Sequence, residues 1–138
     1  MREKEGYCGP DVLQQIASRK GKDITQCKLA ELMQTTERDG TSHTGMMVGA
    51  VETGLKPHPT KDLKIEQLAE LADCYYKIVN WIQGEDERED GHYSILKGIE
   101  DGKVILEDGE VELGEFDRRW YDFDKGSRVE KWAMLIHK

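Results

Sequence analysis

The sequence predicts an α+β domain, with helices at the front of the chain and an antiparallel sheet behind them. Three observations carry that reading. Apolar residues recur at helical spacing from Val12 to Leu71. From Tyr75 the pattern changes to runs rich in β-branched and aromatic residues. Between two of those runs stands Asp101-Gly102, the signal of a tight type I′ hairpin.

Each element has its own argument. Val12, Leu13, Ile16 and Ala17 mark a first helix that ends at Lys20-Gly21. Pro10 fits its first turn, where a missing N–H costs nothing. Thr25 caps a second helix carrying Leu29, Leu32 and Met33. Asp39-Gly40-Thr41-Ser42 is a loop, with Ser42 the cap of a third helix whose Met46, Met47, Ala50 and Val51 point inward. Gly54 stands just past the end of that helix and Pro57 follows. A fourth helix is expected from about Asp62, with Ile65, Leu68, Ala69 and Leu71 on one side. Tyr76 to Ile82 reads as a strand, and His92–Ile99 with Lys103–Glu107 as a hairpin. Leu113-Gly114-Glu115-Phe116 opens a short helix through Trp120, and Lys131–His137 closes the chain as a strand alternating Trp132, Met134 and Ile136.

A chain of 138 residues is a natural size for one compact domain, so a single domain over residues 1–138 is expected. Charged residues make up 35% and the formal net charge is −8, which argues against a phosphate-backbone binder and hence against a nucleic-acid partner. No apolar run reaches the length of a membrane span, and Met1-Arg2-Glu3-Lys4 is followed by no apolar signal core, so the expected location is the cytoplasm. The three cysteines, Cys8, Cys27 and Cys74, form no CxxC pair, and His43, His58, His92 and His137 show no ligand spacing. Neither a disulfide framework nor a metal site is expected, and no cofactor. Cys27 and Cys74 read as small, partly buried thiols within or beside helices.

Cys8 is different, because it stands where a helix begins and is followed by Gly9-Pro10. Unpaired peptide N–H groups and the positive end of the helix dipole favour thiolate over thiol at such a place. Gly91-His92-Tyr93 supplies an imidazole from a strand, and Asp108 follows at the end of the next one. Nucleophile, base and orienting carboxylate in that order are the parts of a papain-type cysteine peptidase. Regular alternation groups Asp108 with Val104 and Leu106 and puts Glu107 on the other face, although Asp108 before Gly109 equally suits a turn.

These residues carry a resemblance. Cys8-Gly9-Pro10…Leu13, Ile24…Leu29-Ala30-Glu31-Leu32, Gly40-Thr41-Ser42, Met46…Ala50…Gly54-Leu55, Gly91-His92-Tyr93…Leu96-Lys97-Gly98-Ile99 and Glu115-Phe116…Trp120 follow one another at family-like spacing. The chain resembles the papain-like cysteine peptidases typified by the double-glycine leader peptidase domains of bacteriocin-exporting ABC transporters. The resemblance implies a papain-like fold, a peptide or protein substrate and Cys-His-Asp hydrolysis, in that family after a Gly-Gly pair. It implies Cys8 as nucleophile, His92 as general base and acid, and Asp108 as orienter of the imidazole. It also implies an oxyanion hole built from the Cys8 backbone and a side chain six residues earlier. The family usually has Gln there and Pro after the Asp; this chain has Arg2 and Gly109. The alternative the Arg2 departure raises is a peptidase-like domain that binds a peptide or protein partner without cutting it. Glu85-Asp86-Glu87-Arg88-Glu89-Asp90 runs directly into Gly91-His92, which would put an acidic rim beside the base, suited to basic peptides.

Overall fold

A computed structural model describes residues 7–37, 39–71, 73–87 and 90–138. They divide into two compact units, one running to Pro57 and taking in His137 and Lys138, the other spanning His58–Ile136.

The first unit is helical. α1 (Cys8–Arg19) buries Val12, Leu13, Ile16 and Ala17, the four residues whose spacing predicts it. In α2 (Gln26–Met33), Thr25 Oγ1 accepts the Lys28 N–H, and in α3 (His43–Glu52) Ser42 Oγ accepts that of Gly45, so both expected caps form. Leu13, Ile16, Leu29, Met33 and Met46, each almost fully removed from water, make up its core.

The second unit carries most of the sheet. Its six strands run in the order β1-β8-β2-β3-β4-β5, with a separate hairpin β6-β7. They are β1 (Pro57–Thr60), β2 (Tyr75–Ile82), β3 (Gly91–Glu100), β4 (Lys103–Leu106), β5 (Gly109–Glu112), β6 (Tyr121–Asp124), β7 (Ser127–Glu130) and β8 (Ala133–His137). α4 (Ile65–Glu70) precedes β2 and α5 (Leu113–Arg119) follows β5. The β3-β4 turn is of the expected kind, with Asp101 at φ +51° and Gly102 at φ +74°. Leu68, Val79, Trp81, Leu96, Val104, Leu106, Phe116, Trp120 and Ala133 form one cluster.

Four expectations need correction. Val51 of α3, expected to point inward, is 58% exposed, while Met46 and Ala50 are buried. α4 begins at Ile65 rather than near Asp62, because Asp62 sits at φ +56° with its N–H bonded to the Glu130 carbonyl, and the helix is capped by Gln67 Oε1 accepting the Lys64 N–H. β8 does not alternate: Ala133 and Leu135 are buried along with Met134 and Ile136. Cys27 and Cys74 are exposed, the first on the outer side of α2 and the second in the turn before β2.

Candidate active site

Cys8, the expected nucleophile, belongs to the first unit. Cys8 is the first residue of α1 and half-buried. Tyr7 caps the helix through its carbonyl, which accepts the Asp11 N–H at 3.0 Å, and offers no side-chain cap. The amides of Cys8 and Gly9 therefore have no acceptor within the helix, and Pro10 brings none to the first turn. Gly9 is fixed by crowding: a Cβ there would lie 2.7 Å from Thr41 Oγ1 and 3.0 Å from Met46 Sδ. The glycine lets the start of α1 seat against the loop and helix that follow. Gln14 and Gln15 are occupied elsewhere, donating to the Ile24 carbonyl and to Asp11 Oδ2. Arg2 lies outside the described residues.

His92 and Asp108 belong to the second unit, and strand register brings them together. In the β2-β3 ladder Trp81 lies opposite His92, and in β3-β4 Leu96 lies opposite Leu106. Carried two residues past β4, that register sets Asp108 across from Ser94 and diagonal to His92, within reach of side chains on one face. The Glu107 N–H continues the ladder by donating to the Ile95 carbonyl at 2.9 Å. Asp108 then closes a tight turn between β4 and β5, followed by Gly109 at φ +151°. Its Oδ2 stands 2.6 Å from His92 Nε2. Asp108 takes both of the parts its sequence position allowed, turn residue and imidazole partner.

The carboxyl of Asp108 is held below its ordinary range. Burial, the largest single influence, pushes it up, but the hydrogen bond and charge of His92 and the hydroxyl of Ser94 together outweigh that. An ionised Asp108 favours the tautomer in which His92 donates its Nε2–H to it, which puts the other ring lone pair on Nδ1. The ring leans on Trp81 in an edge-on contact with centroids 6.4 Å apart, and Trp81 in turn packs at a tilt against Phe116. The His92 main chain is also pinned. Buried Asn80 donates one amide hydrogen to the His92 carbonyl at 3.1 Å and bonds Asp122 Oδ2 on β6 at 2.9 Å. Asn80, Ser94, Trp81 and Asp122 were not legible as site residues, because each is defined by a register or by a hairpin that the sequence pattern does not reveal.

The acidic segment before β3 is a tied loop. Asp90 Oδ2 accepts the Asp86 N–H, the Asp90 carbonyl accepts the Gln83 N–H, and Arg119 donates to the Gly84 carbonyl. Tyr121 donates its hydroxyl to Glu87 at 2.7 Å, and that carboxylate pushes the phenol above its ordinary range. Arg88 and Glu89 lie outside the described residues. Among the described residues no cluster of His, Cys, Asp and Glu could hold a metal ion, and no helix is long and apolar enough to cross a membrane.

The sequence pattern that defines the peptidase C39 family matches residues 1–124, a stretch containing Cys8, His92 and Asp108. The chain belongs to the peptidase C39 family. Its fold is that of solved C39-type domains. The peptidase domain of Streptococcus ComA, a bifunctional ABC transporter, is 23% identical with a TM-score of 0.74, covering 100% of this chain and 96% of that one. A double-glycine motif protease from an AMS/PCAT transporter, solved with its leader peptide, is 18% identical with a TM-score of 0.71, over 100% and 88%. A C39-like peptidase from Bacillus anthracis is 13% identical with a TM-score of 0.73, over 100% and 92%. No curated protein matches the sequence. C39 membership makes this a cysteine peptidase by family, and the papain-like α+β expectation holds in its helices and its antiparallel sheet.

Proposed function

We propose that this C39 member hydrolyses peptides with Cys8 as nucleophile, His92 as general base and acid, and Asp108 as orienter. The observation that carries the proposal is the 2.6 Å contact from His92 Nε2 to Asp108 Oδ2, which supports Nδ1 as the nitrogen that transfers the proton. His92 Nδ1 takes the proton of the Cys8 thiol as sulfur bonds to the substrate carbonyl carbon. It returns that proton to the leaving amine as the C–N bond breaks, and water then splits the thioester. The amides at the start of α1, that of Cys8 first, are the backbone donors we assign to the oxyanion, with Arg2 standing at the position of the family's Gln. The substrate we assign is a peptide cut after a Gly-Gly pair, by analogy with the double-glycine protease it resembles in fold. One exchangeable, catalytic thiol beside two exposed ones suits a reducing compartment, and we assign the cytoplasm.

Two measurements test this together. Peptides containing Gly-Gly are incubated with the wild type, with Cys8→Ala and with His92→Ala; cleavage by the wild type alone is the expected result. Iodoacetamide labelling of the native protein should reach half-buried Cys8 faster than exposed Cys27 and Cys74, and His92→Ala should remove that advantage. Equal cleavage by Cys8→Ala and wild type ends the proposal. Fast labelling of Cys8 without cleavage of any peptide favours the second reading, a peptide-binding domain, whose motivating observation is Arg2 in place of Gln.

A further inference from the structure

Ser94 is a polar residue inside an apolar stretch of β3, between Tyr93 and Ile95-Leu96, and only 1% of it is exposed. Its hydroxyl has two neighbours. The indole Nε1–H of Trp81 donates to Ser94 Oγ at 3.0 Å, in surroundings shut off from water. Ser94 Oγ donates to Asp108 Oδ2 at 3.4 Å. An indole nitrogen can only donate, so it occupies a lone pair of the hydroxyl and leaves the hydroxyl hydrogen to be given away. We propose that Ser94, its hydroxyl oriented by Trp81, is a positioning residue that holds the Asp108 carboxylate against His92. The inference rests on the peptidase reading above for its kinetic consequence, though not for its spectroscopic one.

The need for such a residue follows from where Asp108 sits. It occupies a tight turn, and its side chain is 43% exposed against 20% for His92. A carboxylate so placed rotates and exchanges its partner for water unless a second donor restrains it. Ser94 supplies that donor from the strand position directly across the ladder, and it aims at Oδ2, the same oxygen that His92 uses. Trp81 meanwhile touches the His92 ring by its edge. One indole thus steadies the imidazole by contact and the carboxylate through the serine. Among the side chains acting on Asp108, His92 is the charged one and Ser94 the neutral donor, so removing Ser94 leaves the imidazole and Asp108's own backbone amide to restrain it.

The test compares Ser94→Ala, Ser94→Thr and the near-isosteric Ser94→Cys. Readouts are kcat and KM on a cleaved peptide, the acid limb of the pH profile, and the low-field proton resonance of His92 Nε2–H. At 3.4 Å the Ser94–Asp108 bond is long, and its loss corresponds to about a fivefold change. The expected result for Ser94→Ala is a kcat lower by about that factor with KM unchanged, an acid limb moved to higher pH, and a shifted or broadened Nε2–H resonance. Ser94→Thr, which keeps the hydroxyl, should restore all three. Ser94→Cys, a weak donor of similar size, should fall between and serves if the alanine variant fails to fold. Unchanged kcat, acid limb and resonance in Ser94→Ala, with lowered stability alone, would show that Ser94 only satisfies the indole and would overturn the proposal. The resonance is read without turnover, so an inactive wild type would sink the peptidase reading while leaving this one to stand or fall on the spectrum.

Discussion

Asp108 shows at the scale of one residue how pH enters this molecule. Its carboxyl lies below the ordinary range because, against the dominant upward push of burial, it accepts from His92 and Ser94 and feels the imidazole's charge. A carboxyl whose folded value is depressed contributes stability above its unfolded value, about 4, and that contribution disappears as pH falls through the folded value. Acidification from about pH 5 downward should therefore lower the melting temperature of the wild type more steeply than that of Asp108→Asn. Parallel melting curves for the two proteins across that range would refute it. At neutral pH the same substitution should reduce kcat/KM by about 10²-fold, the usual size of a general acid–base contribution, because an amide no longer selects the Nε2–H tautomer. Glu107, the neighbouring carboxylate, is exposed, and Glu107→Gln should cost less kcat/KM than Asp108→Asn, because Asp108 and not Glu107 contacts His92.

At the scale of the element, the β4-β5 hairpin is what aims Asp108. Gly109 closes it at φ +151°, a backbone that side chains adopt at a cost of about 1–3 kcal/mol and that proline, held near −65°, cannot adopt at all. The family's Asp-Pro step would thus need another turn here, and Asp-Gly is the form this hairpin requires. Gly109→Ala should lower stability by about 1–3 kcal/mol in denaturant unfolding and reduce kcat more than KM, as the turn relaxes and carries Asp108 away from His92. A variant that loses stability but keeps full kcat would separate the turn from the site. The hairpin also marks the limit of what the sequence discloses. α1, α2 and α3 were legible because caps and apolar periodicity agree, at Thr25 and Ser42 above all, and the β3-β4 turn because Asp101-Gly102 admits few conformations. The four-residue strands β1, β5, β6 and β7 were not, since Pro57–Thr60, Gly109–Glu112, Tyr121–Asp124 and Ser127–Glu130 have no fully buried residue to set an alternation. The proposed site residues Cys8, His92 and Asp108 could be named from the sequence, and the structure shows His92 and Asp108 in contact. Ser94 and Asn80 could not, because a buried serine or asparagine acquires meaning only once the strands on either side are in register.

For the whole molecule, a net charge of −8 and an acidic approach to β3 favour cationic substrates at a distance. Asp90 and Glu87 are occupied in holding the loop, while Glu85 and Asp86 are exposed. Changing Glu85→Gln with Asp86→Asn should slow cleavage of peptides with Lys or Arg beside the cut at low salt, by at most about fivefold. Near 1 M salt, where screening acts within about 3 Å, the two proteins should behave alike. An unchanged preference at low salt would make the loop a mere connection. The placement of the aromatic residues has a further, optical consequence. Trp81, Trp120 and Trp132 all lie between His58 and Ile136, and the stretch up to Pro57 has no tryptophan, whereas the three longest helices lie within that stretch. Indole emission therefore reports the half that holds the imidazole, and far-ultraviolet circular dichroism reports chiefly the half that holds the thiol. We propose that the two halves melt as one cooperative domain, so the two signals should trace one transition. Separate midpoints would reveal a chain that can lose the helix of Cys8 while His92 stays in place, and the colour of its own fluorescence would say which half remained.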